Sequence, residues 1–221
     1  MKNKIYMIFK VALWSSRKEI TNEYSKEFYN KFCKVSKNNL ESIIDEIPNI
    51  GDSVFSFNYY FCPSYISWYK AYLKLGLESD AANQMIWKMN ETLVKLIPKI
   101  FMKMSMDKYI GDFRKRAQNH ELLSDKNQVH PFDWKIRYRN ISKKTFEIDI
   151  YECGMIKLCN KFDAMGLLPM MCRMDYLFSH YMGNGFERTK TLGDGDDCCN
   201  CRYILDRECE WSPEKGFEKR K

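Results

Sequence analysis

Long apolar runs and histidines are what this chain of 221 residues most lacks. No apolar run approaches the roughly 18 residues that a membrane-spanning helix needs, so we expect no membrane partner. Three histidines leave few of the side chains most used in zinc sites and acid–base catalysis. There is also no glycine-rich phosphate loop after a strand and no G-x-S-x-G motif, which disfavours nucleotide chemistry and the usual serine hydrolases.

The N-terminal residues are apolar but do not form a convincing signal peptide. Lys10 interrupts the stretch IYMIFKVALW, and the following SSRKE offers no small-residue cleavage site. We expect an amphipathic helix here instead. Nine cysteines could suggest disulfides, but Cys198 and Cys199 are adjacent, and bridging such a pair would strain the chain. A reduced, cytoplasmic protein is the better interpretation.

The formal net charge is +7, but its distribution does not indicate a nucleic-acid binder. The excess lies largely in the tail EKGFEKRK and in short clusters. A basic recognition helix, an aromatic-basic motif and zinc-finger spacing are all missing. We therefore expect no nucleic-acid partner, and interpret the charge as a solvated surface that could also attract a small anionic substrate.

The first half of the sequence predicts helices. Apolar residues at helical spacing predict a helix over 17–47 that ends before Pro48 and another over 64–75 that stops at Gly76. A third should open at Ser79 or Asp80 and end or kink at Pro98. Its methionines and those that follow are expected to fill a core rather than bind metal: Met85, Met89, Met102, Met104 and Met106.

The period changes to two after His130-Pro131. WKIRYR (134–139) and FEIDIY (146–151) alternate apolar and charged residues, which predicts a hairpin with one buried face. Its outer face should be neutralised by cross-strand ion pairs. Two helical stretches follow, one over 155–165 and one from Pro169 to Tyr181. FERTKTL and CCNCRYIL then predict a second hairpin around the turn GDGDD.

These elements together predict an α+β fold. A helical N-terminal half would pack on a four-stranded antiparallel sheet made of two hairpins separated by the helical pair. We expect a single domain over 1–221, mainly helical over 1–128 and built on the sheet with its inserted helices over 129–210. Residues 211–221 would form a basic tail.

The cysteines near the C-terminus leave several kinds of site open. On a regular strand Cys199 and Cys201 share one face, whereas Cys198 faces the other way with Asn200 and Arg202. A single three-thiolate metal site is therefore disfavoured, and CCxC is not the paired CxxC pattern of structural zinc. The remaining possibilities are a thiol nucleophile at Cys199 and cysteines that are simply buried.

A carboxylate near these cysteines is a second candidate. Cys172 and Asp175 share a helix face at a spacing of three. Because the surrounding residues are apolar, burying Asp175 requires a partner or a function. It could act as a base, or it could pair with an arginine such as Arg188.

Three segments of this region resemble the L-2-amino-thiazoline-4-carboxylic acid hydrolase family. They are CRMD (Cys172–Asp175), FERTKTL (Phe186–Leu192) and GDDCCNCR (Gly195–Arg202). The last two segments follow the family run R-T-x-T-L-x-x-G-D-x-x-C-D-F-R, except that Asn200 stands for the usual aspartate and Cys201 for an aromatic residue. The C-terminal hairpin is also similar to small-molecule-binding domains of the 4-vinyl reductase type. The positions that match the hydrolase family run are Arg188, Thr189, Thr191, Leu192, Gly195, Asp196, Cys199 and Arg202.

The resemblance implies a hydrolase that opens a small cyclic amidine such as L-2-amino-thiazoline-4-carboxylate. We separately expect no cofactor. Cys199 would be the first candidate nucleophile and Cys172 the second, with Asp175 as base or amidine partner. The substrate carboxylate would bind Arg188 or Arg202. The alternative is a non-catalytic domain that binds a small molecule or a metal through the same hairpin. Further candidate substrate-binding residues are Thr189, Thr191 and Asp196, the last of which could instead accept backbone N–H groups in the turn.

Overall fold

The computed structural model describes residues 1–96 and 99–209, and of residues 99–110 it describes the backbone alone. The expected basic tail over 211–221 and the expected break at Pro98 lie outside the described residues. The fold is α+β, as the sequence predicts. Within the described ranges, no helix is both long enough and apolar enough to cross a membrane.

The helices of the N-terminal half are more divided than their apolar spacing suggests. The predicted helix over 17–47 is wrong as one element, because it breaks at Tyr24 and restarts where the Ser25 hydroxyl accepts the Phe28 N–H at 3.0 Å. The next helix begins eight residues before the predicted start and contains Pro63. The helices are α1 (Lys2–Ser15), α2 (Arg17–Glu23), α3 (Lys26–Ile43), α4 (Ser56–Lys74), α5 (Ser79–Lys95) and α6 (Lys99–Asp125).

The second half contains the sheet and three short helices. The strands are β1 (Lys135–Asn140), β2 (Thr145–Glu152), β3 (Gly185–Glu187) and β4 (Cys199–Ile204), and all pairings are antiparallel in the order β1-β2-β4-β3. The helices between β2 and β3 are α7 (Gly154–Lys161), α8 (Leu168–Met171) and α9 (Met174–Met182). The predicted helix from Pro169 to Tyr181 is therefore interrupted at Cys172 and Arg173.

The first hairpin agrees with the prediction from its period. Ile136, Tyr138, Phe146 and Ile148 are buried, while the residues between them are more exposed. The outer face carries the expected cross-strand ion pairs, including Arg139 with Glu147 at 3.0 Å. The alternation of apolar and charged residues thus predicted both the two strands and the ion pairs between them.

The second hairpin differs from the prediction. Of FERTKTL, only Phe186 and Glu187 lie in β3, and a loop over 188–198 leads to β4. The predicted GDGDD turn is instead part of this loop, where Leu192–Asp194 forms a 3-10 helix and Gly195 has a φ of +96°. That left-handed conformation favours glycine.

The chain forms two compact units that both draw on distant parts of the sequence. Unit 1 comprises Met1–Asn49, Phe57–Leu96 and Met155–Met170, and unit 2 comprises Ile50–Ser56, Ile97–Gly154 and Met171–Lys221. In unit 1, Phe32 stacks on Tyr72 at 4.2 Å between ring centroids, and Met85 and Met89 are fully buried as expected. The side chains of Met102, Met104 and Met106 lie outside the described part.

Candidate functional site

The last strand separates two groups of side chains within unit 2. Cys199 and Cys201 are 6% and 2% exposed and lie on the inner face of β4, whereas Asn200 and Arg202 lie on the outer face. This alternation follows from the period of a regular strand. Cys198 lies just before β4 and is buried as well.

Arg188 directs its side chain towards the inner face. Its guanidinium is 4% exposed and lies about equally far from two rings, 5.6 Å from the centroid of Tyr176 and 5.5 Å from that of Phe186. One terminal nitrogen donates to Asp175 Oδ2 at 3.1 Å and the other to the backbone oxygen of Cys172. Arg188, just after β3, is thus hydrogen-bonded to Cys172 between α8 and α9 and to Asp175 in the first turn of α9.

These contacts define a cluster that we call the thiol face: Cys172, Asp175, Arg188, Cys199 and Cys201. Solvent reaches it at Cys172, which is half-buried, and at the Asp175 side chain, which is 33% exposed. Three of the nine cysteines therefore lie around one guanidinium, and all three are thiols without a disulfide. The group combines a carboxylate, a cation and potential nucleophiles.

Burial raises the pKa of the three thiols and of the carboxyl group in the thiol face. It raises the pKa of the Cys199 thiol, although Arg188 and the Leu192 N–H, 3.2 Å from Sγ, act in the opposite direction. Burial raises the thiol pKa of Cys172 and Cys201 too. The pKa of the Asp175 carboxyl is raised above 3.8 by burial, despite the neighbouring Arg188. The thiols are therefore protonated at neutral pH, while Asp175 becomes a stronger base than an ordinary aspartate.

The loop over 188–198 is held by side chains rather than by a strand partner. Asn200 Oδ1 accepts the N–H groups of Thr189 and Lys190 at 2.9 and 2.7 Å, and its amide donates to the Thr189 hydroxyl at 2.7 Å. Asp196 accepts the Thr191 N–H at 2.8 Å. Asn200 thus fixes the loop from the outer face, on the side of β4 opposite the thiols.

A buried ion pair anchors the middle of the same loop. Arg173 donates through both terminal nitrogens to the Asp194 carboxylate at 2.9 and 2.5 Å, and the two side chains are 6% and 7% exposed. The sequence interpretation missed this pair, although Arg173 lies inside the CRMD segment and Asp194 inside GDGDD. Because the two residues lie 21 positions apart, the sequence alone could not show that their segments meet and that the side chains form an ion pair.

The outer face of the sheet carries a cleft of about 240 Å³. A row of alternating charge crosses the four strands there, because Arg139 is opposite Glu147, Glu147 opposite Arg202, and Arg202 opposite Glu187. Arg202 is half-exposed, and its guanidinium lies 3.8 Å from Glu147. Thr189 and Asn200 also line this cleft.

The candidate residues from the sequence therefore occupy three places. Cys172, Asp175, Arg188 and Cys199 meet at the thiol face. Thr191 and Asp196 hold the loop, and Thr189 and Arg202 belong to the outer cleft. A small substrate that touches Cys199 cannot also touch the Arg202 side chain, since the two point to opposite faces of β4. Among the described residues, no group of three or more His, Cys, Asp or Glu side chains is arranged to hold a metal ion.

Comparison with known proteins gives one family. A family model described as L-2-amino-thiazoline-4-carboxylic acid hydrolase matches residues 58–203, which is more than half of the chain. Comparisons with curated proteins and with solved structures found no match. The matched range includes the thiol face, the loop and the outer cleft.

Proposed function

The chain belongs to the L-2-amino-thiazoline-4-carboxylic acid hydrolase family, and we propose that it opens a small cyclic amidine that carries a carboxylate, such as L-2-amino-thiazoline-4-carboxylate. The observation that supports this most is the Arg188–Asp175 pair beside Cys199 and Cys172. A carboxylate, a guanidinium and two thiols lie together there, at the edge of a partly open cluster.

Asp175 is the proposed general base. Burial raises its pKa, so its carboxylate takes a proton more readily than an exposed aspartate does. In the direct route, water attacks the amidine carbon and gives its proton to Asp175. Asp175 passes this proton to the ring nitrogen. The ring C–N bond then breaks as the new hydroxyl on the carbon gives its own proton to the departing nitrogen, which leaves as an amine while the carbon becomes a carbamoyl carbonyl. One water is consumed and a carbamoyl-cysteine is released.

Cys199 is the first candidate for a covalent route and Cys172 the second. Because the thiol pKa of each is raised by burial, attack requires a base to remove the thiol proton, and Asp175 is the proposed acceptor. The Leu192 N–H that contacts Cys199 Sγ would stabilise the developing thiolate. As the tetrahedral adduct collapses, the ring C–N bond would break and the departing nitrogen would take the proton held by Asp175. Water would then attack the same carbon and displace the sulfur, which regains a proton as the thiol, and the carbamoyl product would leave.

Arg188 is the proposed partner of the substrate carboxylate on this face. A guanidinium has five N–H donors, so bonds to Asp175 and to the Cys172 carbonyl leave donors available. The same bonds hold Asp175 in place. Thr191 and Asp196 would act indirectly, by keeping Leu192 near Cys199. The thiols suit a reducing compartment, and we propose a cytoplasmic location.

A second candidate function is binding without catalysis. It is favoured by the protonated thiols and by the outer cleft, where Arg202 and Thr189 could hold a small carboxylate. Asn200, at the position where the family run has aspartate, lies on this same face. Under this alternative, substitutions at the thiol face would leave ligand affinity unchanged.

The test is turnover of L-2-amino-thiazoline-4-carboxylate, followed by mass spectrometry and by thiol titration. The proposed C–N cleavage yields a product with a free amine and no new thiol, whereas C–S cleavage would release a thiol. Asp175→Asn should abolish most turnover by either route, Cys199→Ala should do so if the covalent route is used, and Arg202→Ala should retain it. No turnover by the unmodified protein would remove this substrate, and full activity in both thiol-face variants would remove the proposed site.

The pH dependence provides an independent check of the base. The rate constant kcat/KM should rise with pH as Asp175 loses its proton, with a midpoint above 3.8, because burial raises this pKa. Any residual activity of Cys199→Ala should show the same rise of kcat/KM with pH. A midpoint at or below 3.8 would contradict the proposed role of Asp175.

A further inference from the structure

Helix α1 has two apolar faces, and the protein core covers one of them. Ile5, Phe9, Ala12 and Leu13 are buried. Met7, Val11 and Trp14 are 60%, 47% and 71% exposed. Their spacing of four and three residues places them in one stripe along the helix. We call these three residues the α1 stripe.

Basic residues border the α1 stripe on both sides. With about 100° of rotation per residue, Lys4 and Lys10 lie about 60° to either side of Met7, and both are exposed. Arg17 and Lys18 follow at the end of the helix and are exposed as well. The sequence has no aspartate or glutamate before Glu19. Lys2 pairs with Asp45.

We propose that the α1 stripe docks on a membrane surface that contains anionic phospholipid. An apolar stripe with a tryptophan, bordered by lysines, is the pattern of helices that lie in the membrane interface. The apolar side chains would enter the boundary between headgroups and acyl chains, and the lysines would meet lipid phosphates. This departs from the expectation, drawn from composition, that no membrane takes part.

The charges disfavour a second copy of this chain as the occupant. If two α1 stripes packed against each other, Lys4 and Lys10 of each helix would approach basic residues of the other. Helix α1 has no acidic residue to compensate them. An anionic membrane surface has a charge opposite to that of the bordering lysines, and its apolar layer can accept the side chains of the α1 stripe.

The experiment is co-sedimentation of the protein with vesicles of phosphatidylcholine alone or mixed with phosphatidylglycerol. We expect binding to the mixed vesicles and little to the neutral ones. Raising the ionic strength from about 0.15 M to about 1 M shortens the screening length from about 8 Å to about 3 Å, and should release the protein. Equal binding to both vesicle types, or to neither, would overturn the proposal.

Matched variants distinguish binding through the α1 stripe from non-specific binding to vesicles. The double variant Met7→Ser, Trp14→Ser should weaken binding by about tenfold or more, because it removes the apolar contact. Lys4→Gln with Lys10→Gln should weaken it on mixed vesicles specifically. Ile141→Ser is the control, since Ile141 is also an exposed apolar residue, at 50%, and precedes Lys143 and Lys144 in the sequence but lies outside helix α1.

Folding and oligomeric state are measured on the same samples. Circular dichroism melts must match those of the unmodified protein for a variant to be scored. A dimer in light scattering that Trp14→Ser dissolves would identify a second copy as the occupant and overturn the proposal. Hydrolysis of a soluble substrate is expected to be unchanged by these variants, so this result is independent of the proposed activity.

Discussion

At the scale of the residue, burial determines what the cysteines of the thiol face can do. Arg188 lowers the pKa of Cys199, but burial has the larger effect in the opposite direction. A cation next to a sulfur is therefore not sufficient to make a reactive thiolate. The side chain of Asp175 is more exposed than the thiols of Cys199 and Cys201, and we therefore propose that Asp175 moves protons in this group.

Alkylation tests this reasoning directly. At pH 7, iodoacetamide should label Cys199 at least about tenfold more slowly in the folded protein than in guanidinium, because burial lowers both its thiolate fraction and its access. The measurement is mass spectrometry of the peptide that contains Cys199 over time. Equal rates in the two conditions would show an activated, accessible thiol and would strengthen the covalent route.

The Arg173–Asp194 pair should be a major contributor to stability. Arg173→Ala leaves the Asp194 carboxylate buried without a partner, and we expect the free energy of unfolding to fall by about 3–5 kcal/mol. Arg137→Ala is the control, because Arg137 is 59% exposed and lies 3.8 Å from Glu121. Its effect should stay below about 1 kcal/mol. Urea denaturation measures both, and similar losses for the two variants would contradict the assignment.

At the scale of the element, the two hairpins show what a local pattern can predict. β1 and β2 pair with each other through a short link, so alternation alone specified their faces and their ion pairs. Beyond Glu187 the same reasoning was wrong, because Arg188 bonds Asp175 and the Cys172 carbonyl, and Asn200 takes the next two N–H groups. Those partners lie outside the segment, so its own period could not show that the strand ends there.

The sequence likewise predicted part of the candidate site but not all of it. The family motif and the strand period together selected Cys199, Arg188 and Asp175, which do lie together. They could not place Thr189, whose direction depends on where β3 ends. The sequence also showed Asn200 only as a replacement of the family aspartate, whereas in the structure its side-chain amide holds the loop through Thr189.

Two glycines should respond to alanine in opposite directions. Gly195 has a φ of +96°, where a side chain strains the backbone, so Gly195→Ala should lower the free energy of unfolding by about 1–2 kcal/mol. Gly111 is exposed in α6 with no atom within 4 Å of an added Cβ, so Gly111→Ala should raise it by about 0.5–1 kcal/mol. Chemical denaturation compares them. A gain at Gly195 would contradict the loop geometry, and a loss at Gly111 would contradict its open position in the helix.

At the scale of the whole molecule, the two compact units are interleaved along the chain. Unit 2 takes the seven residues Ile50–Ser56 from the middle of the helical half. There, the Ser53 hydroxyl donates to Asp133 at 2.6 Å, and Arg116 donates to the Ser53 carbonyl at 2.6 Å. A division of the sequence into a helical half and a sheet half therefore does not coincide with the units.

Two neighbouring phenylalanines test this interleaving. Phe55 is 7% exposed and packs in unit 2 against Trp134 and Phe113, with ring centroids 4.9 and 5.7 Å away. Phe57, only two residues later, belongs to unit 1 and is 53% exposed. Phe55→Ala should lower the free energy of unfolding by about 3–5 kcal/mol, because it opens a cavity among aromatic rings. Phe57→Ala should change it by less than about 1 kcal/mol.

The reason for the difference is the position of the segment in the fold, since residue type and sequence neighbourhood are the same. Guanidinium denaturation followed by tryptophan fluorescence measures both variants, and Trp134 beside Phe55 reports on the affected core. A small effect of Phe55→Ala would mean that Ile50–Ser56 is a surface loop of the helical half. A large effect shows that the sheet needs this segment to fold, so that a fragment beginning after residue 96 would lack part of its core.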